Sequence, residues 1–308
     1  MRVAVKLRFQ KDDLPFWLLG ALILLSAVGF GVYYYYDRYV HPDETILDRQ
    51  ARQFESMVEK NPQNADLRVA TAGYYFDGGL IDQALAQCQE ALKINPDHQG
   101  ALLLLGMILQ KKGDKDAALT YYMRIVDLNK DNPMAKIDKQ LEAVYYQLGT
   151  IYNEQSRYAD AVDSLQKALQ IDSTDSDAYL ELGLAYQRQN DHAAALRAFE
   201  QAVRFVPDFA EAYQGMVSSY QATGKTPEMN YARAMVLLTQ NQPADAAKQL
   251  ESVVAQNPEF IPAYLGLGLA YEKLGRREQA SIALQRYLKA NPNDVAANQA
   301  LGRLNKGN

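Results

Sequence analysis

A helix–turn–helix pattern fills residues 176–208, which read SDAYLELGLAYQRQNDHAAALRAFEQAVRFVPD. In the first half, Tyr179, Leu182 and Tyr186 follow the three- and four-residue spacing of one helical face. A polar Asn-Asp pair then interrupts the pattern. In the second half Phe199 lies between alanines at helical spacing, and a proline near the end stops the helix. The stretch therefore predicts two helices that form a hairpin.

The same pattern recurs with a period of about 34 residues, the period of a helix–turn–helix repeat. Gly183 and Gly149 are one period apart, as are Gly302 and Gly268, and each follows a leucine. The sequence resembles the tetratricopeptide repeat family in these residues. The matching positions are Tyr145, Leu148, Gly149, Tyr152, Ala161, Leu165 and Ala168, then Tyr179, Leu182, Gly183, Tyr186, Ala195, Phe199, Ala202 and Pro207, then Tyr264, Leu267, Gly268, Tyr271, Ala280, Leu284 and Pro292.

The resemblance implies an all-α, right-handed solenoid of about six to seven repeats. The pattern predicts an N-terminal part over residues 43–223 and a C-terminal part with a capping helix over residues 224–308. Extra residues enter near residues 130–138, where a loop or an extended helix start is expected. Val217 and Ala234 hold equivalent positions but lie only half a period apart, so a helix is missing or extra between them.

The N-terminal residues carry a different pattern. Residues 1–13 include four basic side chains and alternate apolar with polar residues. They are interpreted as a basic flank on anionic lipid headgroups, with a strand added to a partner's sheet as the alternative. Residues 14–36 carry no charge and are long enough, as a helix, to span a hydrocarbon core of about 30 Å. Residues 37–42 form a short linker.

A cleaved signal peptide is the competing interpretation of residues 14–36. The apolar run is longer than a signal peptide's core and ends in four tyrosines without a small-residue cleavage site, which favours an uncleaved anchor. Four basic residues precede the span and only Arg38 and Arg49 follow closely. This asymmetry predicts a cytoplasmic N-terminus and repeats on the outer face of the plasma membrane.

The composition argues against an enzyme. The chain has one cysteine, Cys88, expected as a small buried residue, and three dispersed histidines, of which His98 and His192 are expected on solvated turns. Neither a metal-binding spacing nor a phosphate-binding or nucleophile motif occurs in the sequence. No cofactor, metal or small-molecule substrate is therefore expected. The net charge of −5 argues against a nucleic-acid platform.

The resemblance implies a groove lined by the first helix of each repeat. Two positions per repeat should face it: the residue two before the Leu-Gly pair and the residue after it. These positions give the predicted partner-binding residues Val69, Leu103, Met107, Tyr146, Thr150, Leu180, Leu184, Tyr231, Met235, Leu265 and Leu269. Less apolar residues hold the same positions elsewhere: Gly73, Gln214 and Ser218. The alternative is that these side chains pack between neighbouring helices.

One branch of the family holds chaperone C-termini with Lys, Asn and Arg clamps. This chain has Val69, Gly73, Leu104, Ala143 and Gln147 at the matching positions, which argues against that role. The sequence favours a non-enzymatic scaffold or assembly factor, tethered to a membrane, that binds a protein segment in its groove. The alternatives are a permanent structural subunit of a membrane complex and an import-receptor type of protein facing the cytosol.

Overall fold

The computed structural model describes residues 14–35 and 46–306. All regular structure in these residues is helical, in agreement with the predicted all-α class. The helices are α1 (Leu14–Tyr35), α2 (Ile46–Lys60), α3 (Ala65–Asp77), α4 (Ile81–Ile94), α5 (Gln99–Lys111), α6 (Lys115–Leu128), α7 (Lys139–Glu154), α8 (Tyr158–Ile171), α9 (Ser176–Arg188), α10 (His192–Phe205), α11 (Ala210–Ala222), α12 (Thr226–Thr239), α13 (Pro243–Gln256), α14 (Pro262–Lys273), α15 (Arg277–Ala290) and α16 (Val295–Lys306). The chain divides between Gln87 and Cys88 into two compact units.

The first unit contains α1, α2, α3 and the first half of α4. The helix predicted over residues 14–36 is present as α1 up to Tyr35, and apolar side chains such as Leu25 and Phe30 are exposed on it. No helix among the described residues combines the length and the apolar character needed to cross a membrane. The flank at residues 1–13, Tyr36 and the linker at residues 37–42 lie outside the described residues.

Helix α2 packs against α3 in this unit. The rings of Phe54 and Tyr74 lie 5.0 Å apart between centroids, and the Tyr75 hydroxyl donates to a carboxylate oxygen of Glu55 at 2.6 Å. Because Tyr75 is buried, this hydrogen bond satisfies a hydroxyl that would otherwise lose its water contacts.

In the second unit, a glycine of one helix packs against a large side chain of the next. The fully buried Phe199 ring of α10 lies against both Gly183 of α9 and Gly215 of α11, and a Cβ on either glycine would overlap it. Leu165 occupies the same place against Gly149, and Leu284 against Gly268. The close helix contact predicted at Gly183 is therefore confirmed, and it explains why the repeats keep a glycine there.

The turn inside each hairpin contains one residue with positive φ. That residue is Gly113 between α5 and α6, Ser156 between α7 and α8, Asn190 between α9 and α10, and Gly275 between α14 and α15. Glycine and asparagine tolerate this left-handed conformation better than other residues. Positive φ therefore marks the passage from the first to the second helix of a repeat.

Helix α12 has such a turn at both of its ends. Gly224, with a φ of 70°, precedes it, and Asn241, with a φ of 57°, follows it. It is thus the second helix of the hairpin with α11 and also the first helix of the hairpin with α13. The half-period slip predicted between Val217 and Ala234 corresponds to this shared helix.

Hydrogen bonds between the first helices of successive repeats also change register at α12. The Nδ2 atom of Asn153 on α7 donates to the Glu181 carboxylate on α9 at 2.8 Å. One repeat later, Nε2 of Gln187 on α9 donates to Oγ of Ser219 on α11 at 2.9 Å. These bonds connect α7, α9 and α11, which we name the first row.

The second row consists of α12, α14 and α16. The Nζ atom of Lys273 on α14 donates to the carbonyl oxygen of Leu238 on α12 at 3.1 Å. The guanidinium of Arg303 on α16 makes two hydrogen bonds to the Glu272 carboxylate on α14, at 2.7 and 2.9 Å. The connections between first helices therefore pass from odd-numbered to even-numbered helices at α12.

The insertion predicted near residues 130–138 is a loop with a 3₁₀ turn, Ala135–Ile137. Asn129 anchors its start, because its side chain donates to Gln99 at 2.8 Å and to the Ile125 carbonyl at 2.9 Å. Asp138 then caps α7 by accepting from the backbone N–H groups of Gln140 and Leu141. The insertion therefore precedes the first row without disturbing the start of α7.

Candidate protein-binding grooves

The predicted groove positions of the first row are Tyr146 and Thr150 on α7 and Leu180 and Leu184 on α9. All four side chains are half-buried. Leu180 and Leu184 pack at the edge of one apolar core and also keep part of their surface exposed. These residues therefore both support packing and present apolar surface. We call the surface that they form the first groove.

Leu103 and Met107 of α5 were expected to extend the same strip. Both are half-buried and pack against the core cluster that Tyr146 also contacts. Leu180 and Leu184 pack against a different cluster. A continuous strip from α5 to α9 stays a prediction. Val69, on α3 of the first unit, is also half-buried.

Carboxylates surround Tyr146 in the first groove. Burial raises the pKa of the Tyr146 hydroxyl to about 12, and the negative charges of Glu181, Asp177, Asp175 and Glu142 add to this effect. Burial also raises the pKa of Glu181, although the Asn153 amide opposes that shift by donating to its carboxylate. Half-buried apolar side chains and several carboxyl groups therefore lie close together at this site.

Glu142 is the most perturbed carboxyl group at this site. Its burial and its hydrogen bond to the Asp175 side chain raise its pKa to about 7. Lys139, one turn earlier on α7, pairs instead with Asp172 at the α8–α9 turn, and that pairing lowers the pKa of Asp172 to about 2. Glu142 therefore holds its proton more tightly than a solvated carboxyl group does, while the nearby lysine pairs with Asp172.

The predicted residues of the second row line a separate cavity of about 660 Å³. Leu265 and Leu269 of α14 are half-buried, whereas Tyr231 and Met235 of α12 are buried at its floor. The rest of the lining comes from α10, the α10–α11 turn, α11, α15, the α15–α16 turn and the start of α16: Glu200, Val203, Arg204, Pro207, Tyr213, Tyr287, Asn291, Pro292, Asn293, Asp294, Val295 and Ala296. We call this cavity the second groove.

Three tyrosines line the second groove, and their hydroxyls are bonded to the protein. The Tyr287 hydroxyl donates to Asp294 at 2.8 Å, and the Tyr213 hydroxyl donates to the Pro207 carbonyl at 3.3 Å. Tyr231 is hydrogen-bonded to Tyr213, and burial raises the pKa of its hydroxyl far above the ordinary value. Because these hydroxyls are satisfied, the rings present mainly apolar surface to the cavity.

The two rows open on different faces of α12. Gln214 and Ser218, the groove positions of α11, line a smaller cavity of about 500 Å³ together with Arg233 and Leu237 of α12. On a helix with about 100° per residue, these α12 residues lie on the opposite side from Tyr231, which faces the second groove. The shared helix therefore separates the groove face of the first row from that of the second.

Sequence reasoning missed the tyrosines at 213 and 287 and the carboxyl pair at 142 and 175. A spacing signal existed for Tyr213, which follows Tyr179 by one full repeat period and so holds the same pattern position. The carboxyl pair of Glu142 and Asp175 connects two helices, and no local sequence pattern predicts that these two residues meet.

The expected surface role of the histidines needs correction. His98 is half-buried and its Nδ1 accepts from the backbone N–H of Ala101 at 3.2 Å, so it caps α5. His192 is half-buried, and its Nδ1 has no hydrogen-bond partner in the described structure. Cys88 is fully buried as predicted, and burial raises the pKa of its thiol to about 12. No group of three or more His, Cys, Asp or Glu side chains within the described ranges could hold a metal ion.

This arrangement of stacked helical hairpins with glycine contacts defines an α-solenoid scaffold. Sequence profiles described as "Tetratricopeptide repeat" match residues 49–99, 75–137, 176–209 and 237–304, and one described as "TPR repeat" matches residues 149–190. The chain belongs to the tetratricopeptide repeat family. Proteins of this family generally serve as non-enzymatic protein-interaction scaffolds that bind peptide partners in a concave groove.

Two curated proteins are similar over part of the chain. The BBSome complex member BBS4 of Bos taurus is 22% identical over 162 residues, which is 53% of this chain and 26% of that protein. The DnaJ homolog subfamily C member 7 homolog of Schizosaccharomyces pombe is 28% identical over 130 residues, 41% of this chain and 26% of that protein. The chain thus matches about a quarter of the length of each.

Solved structures share the fold. The crystal structure of MamA protein superposes with a TM-score of 0.51 at 24% identity, covering 59% of this chain and 94% of that one. The C-terminal part of a TPR repeat-containing protein from Cytophaga hutchinsonii gives a TM-score of 0.52 at 18% identity, covering 83% and 94%. These similarities describe the architecture of the solenoid.

Proposed function

We propose that the chain is a membrane-tethered interaction scaffold that binds a segment of a partner protein in the first groove. The observation that carries the proposal is the half-buried apolar surface of Tyr146, Leu180 and Leu184 on two adjacent first helices. An amphipathic segment that covered this surface would bury apolar area, which favours binding. A scaffold of this kind needs no catalytic group.

The tether rests on the N-terminal sequence. Residues 14–36 carry no charge, and several apolar side chains of α1 are exposed. The four basic residues before this stretch favour an N-terminus in the cytoplasm and repeats on the outer face. A tether would raise the local concentration of the scaffold near a membrane-bound partner, so that even a weak groove contact becomes effective.

The orientation is tested with two reporters fused after Asn308, one active only outside the cytoplasm and one active only inside it. The proposal expects activity from the outside reporter. Activity from the inside reporter alone would place the repeats in the cytosol and would favour an import-receptor type of protein. Extraction of the chain from membranes by high salt without detergent would contradict the tether itself.

The groove is tested by photo-crosslinking in native membranes. A photoreactive residue at Thr150 should capture a partner that mass spectrometry identifies, and Leu180→Glu or Leu184→Lys should abolish that capture. Ile282→Glu is the matched control, because Ile282 is 62% exposed on α15, outside both grooves. If the groove variants unfold while the control does not, these leucines belong to the core and the groove assignment is wrong.

The same crosslinked sample separates a transient scaffold from a permanent subunit. A single partner that stays bound at a fixed ratio through detergent extraction and size-exclusion chromatography would identify a structural subunit. Several partners that dissociate during extraction would identify an assembly factor.

A further inference from the structure

We infer that the first groove selects a positively charged amphipathic segment, one with lysine or arginine on one side and bulky apolar residues on the other. This inference rests on the proposed function and names the class of partner. It is carried by the position of the carboxylates relative to the apolar floor and by the scarcity of basic partners for them.

The stripe of α9 that faces the first groove alternates charge with apolar surface. Asp177, Leu180, Glu181 and Leu184 follow one another at intervals that keep them on one helical face. Their apolar and acidic groups therefore reach the same surface. A helix with aliphatic residues on one stripe and basic residues beside it is complementary to this pattern in both shape and charge.

The α7 side of the groove repeats this combination. Glu142 and Tyr146 are one turn apart on α7. Asn153 lies two turns further along, where its amide donates to the Glu181 carboxylate on the adjacent α9. The hydrogen bond holds the half-buried Glu181 carboxylate against α7, but it adds no positive charge. A cationic side chain from a partner would supply the missing counter-charge.

Basic partners are unevenly distributed around the groove. On α8, outside it, Asp160 pairs with Arg157 and Asp163 pairs with Lys167, both at 2.8 Å. In the part of the chain that the structure describes, Asp177 and Glu181 have no ion pair, whereas the positive charge of Lys139 acts on Glu142 and opposes the rise of its pKa. Glu181 is also half-buried, so its negative charge is incompletely solvated. Binding of a cation there gains more than binding at a fully solvated carboxylate.

The second groove differs in this respect. Its rim carries Arg204 as well as Glu200 and Asp294, and its floor is lined by tyrosine rings. Charge selection for a cation is therefore a property of the first groove, and the second groove serves as an internal comparison.

The test uses the full chain and three fluorescent synthetic helical peptides: one of leucine and lysine, one with every lysine replaced by glutamate, and one with every leucine replaced by serine. Anisotropy measures the affinity of each. The leucine–lysine peptide should bind at least about tenfold more tightly than either of the others, and its affinity should fall as salt is raised, since screening weakens charge contacts.

The decisive variant is Asp177→Asn with Glu181→Gln, which removes two charges but keeps the shapes. The amide oxygen that replaces the carboxylate can still accept from Asn153. This variant should weaken binding of the leucine–lysine peptide by about fivefold or more. Asp160→Asn with Asp163→Asn removes the same two units of charge from α8 and should change affinity by less than about twofold. Thermal unfolding of both variants checks that they remain folded.

Equal losses in the two double variants would mean that net charge alone attracts the peptide, and the inference would be wrong. Equal binding of the glutamate peptide would overturn it as well. If Leu180→Glu abolishes binding while charge makes no difference, the groove proposal stands and only charge selection fails. If neither the leucine variant nor the charge variant affects binding, the groove proposal itself fails.

Discussion

The first and second rows are built from the same repeat but present different surfaces. In the first row, Tyr146 and Leu180 lie among carboxylates on α7 and α9. In the second row, the equivalent positions line a cavity of about 660 Å³ whose floor contains Tyr231 and two further tyrosines. The glycine contact is the same in kind in both rows, as Gly183 with Phe199 and Gly268 with Leu284. What changes is the face on which the groove positions lie.

The shared helix accounts for this difference. Because α12 belongs to two hairpins, every later first helix occupies the layer that second helices occupied before it. The loss of one helix therefore places the groove positions on the other face of the solenoid, while the glycine contacts between neighbouring helices stay the same. In solenoids each repeat contacts only its neighbours, so such a change can be accommodated at a single junction.

The largest expected effect separates the two rows by stability. Phe199→Ala should cost about 3–5 kcal/mol, because it empties the space between Gly183 and Gly215, and Leu250→Ala should cost about 2–5 kcal/mol. Urea unfolding monitored by hydrogen exchange measures both. Phe199→Ala should raise exchange in α9–α11 while α14–α16 keep their protection, and Leu250→Ala should do the reverse. Uniform loss of protection in both variants would mean that the rows unfold as one unit.

The second prediction concerns the junction. Gly224→Ala should destabilise the chain by about 1–2 kcal/mol, because a Cβ is disfavoured at positive φ. Gln240→Ala, at the other end of α12 with a φ of −80°, is the control and should change stability by less than about 0.5 kcal/mol. Circular dichroism during thermal unfolding compares them. An equal effect of the two substitutions would show that the turn before α12 is not constrained as described.

The third prediction compares the connections within each row. Gln187→Ala removes a partly buried amide that bonds α9 to α11 and should cost about 0.5–1.5 kcal/mol. Arg303→Ala removes an ion pair between α16 and α14 whose arginine is exposed, and it should cost about 0.2–1 kcal/mol. Only the stability lost in the Arg303 variant should shrink when salt is raised, since salt screens exposed charges. Salt dependence of the Gln187 variant instead would contradict the assignment.

The smallest effect is a pH dependence confined to the first row. The pKa of Glu142 is raised from 4.5 to about 7 in the folded chain. The folded state therefore holds this proton more tightly, so the contribution to stability is complete below about pH 4.5 and is lost as the pH rises through about 7. Glu142→Gln removes this pH-dependent contribution to stability. The urea midpoint of the wild type minus that of the variant should be larger at about pH 5 than at about pH 8. The opposite order would contradict the interaction between Glu142 and Asp175.

Several of these features were predictable from the sequence because they are local or periodic. Gly183 and Phe199 repeat at a fixed spacing, so their contact followed from the helical pattern. The slip after Val217 was visible as half a period. The sequence shows that a helix is missing or extra after Val217, but it leaves open which layer the next helix occupies. The effect of the slip on the groove face was therefore not predictable.

The chemistry of the grooves was less accessible. The carboxyl pair of Glu142 and Asp175 depends on how α7 sits against α9, and the bond between Tyr213 and Tyr231 depends on how α11 and α12 meet in their hairpin. Neither pair has a fixed offset in the repeat. The predicted groove residues lie on first helices, and their role in binding stays a prediction. Their burial ranges from half-buried Leu180 to buried Met235, which depends on tertiary packing.

The shared helix also reverses an electric field. Consecutive hairpin helices are antiparallel, so α12 and α14 run opposite to α9 and α11. A helix carries about half a unit of positive charge at its N-terminus. Asp138 and Asp175 cap α7 and α9 with carboxylates at that end, whereas α12 and α14 begin without a side-chain cap in the described structure. The two rows therefore present helix dipoles of opposite direction. Capping aspartates offset the positive ends of α7 and α9 in the first row and of α16 in the second, where Asp294 accepts from the backbone N–H of Ala297 at 2.9 Å.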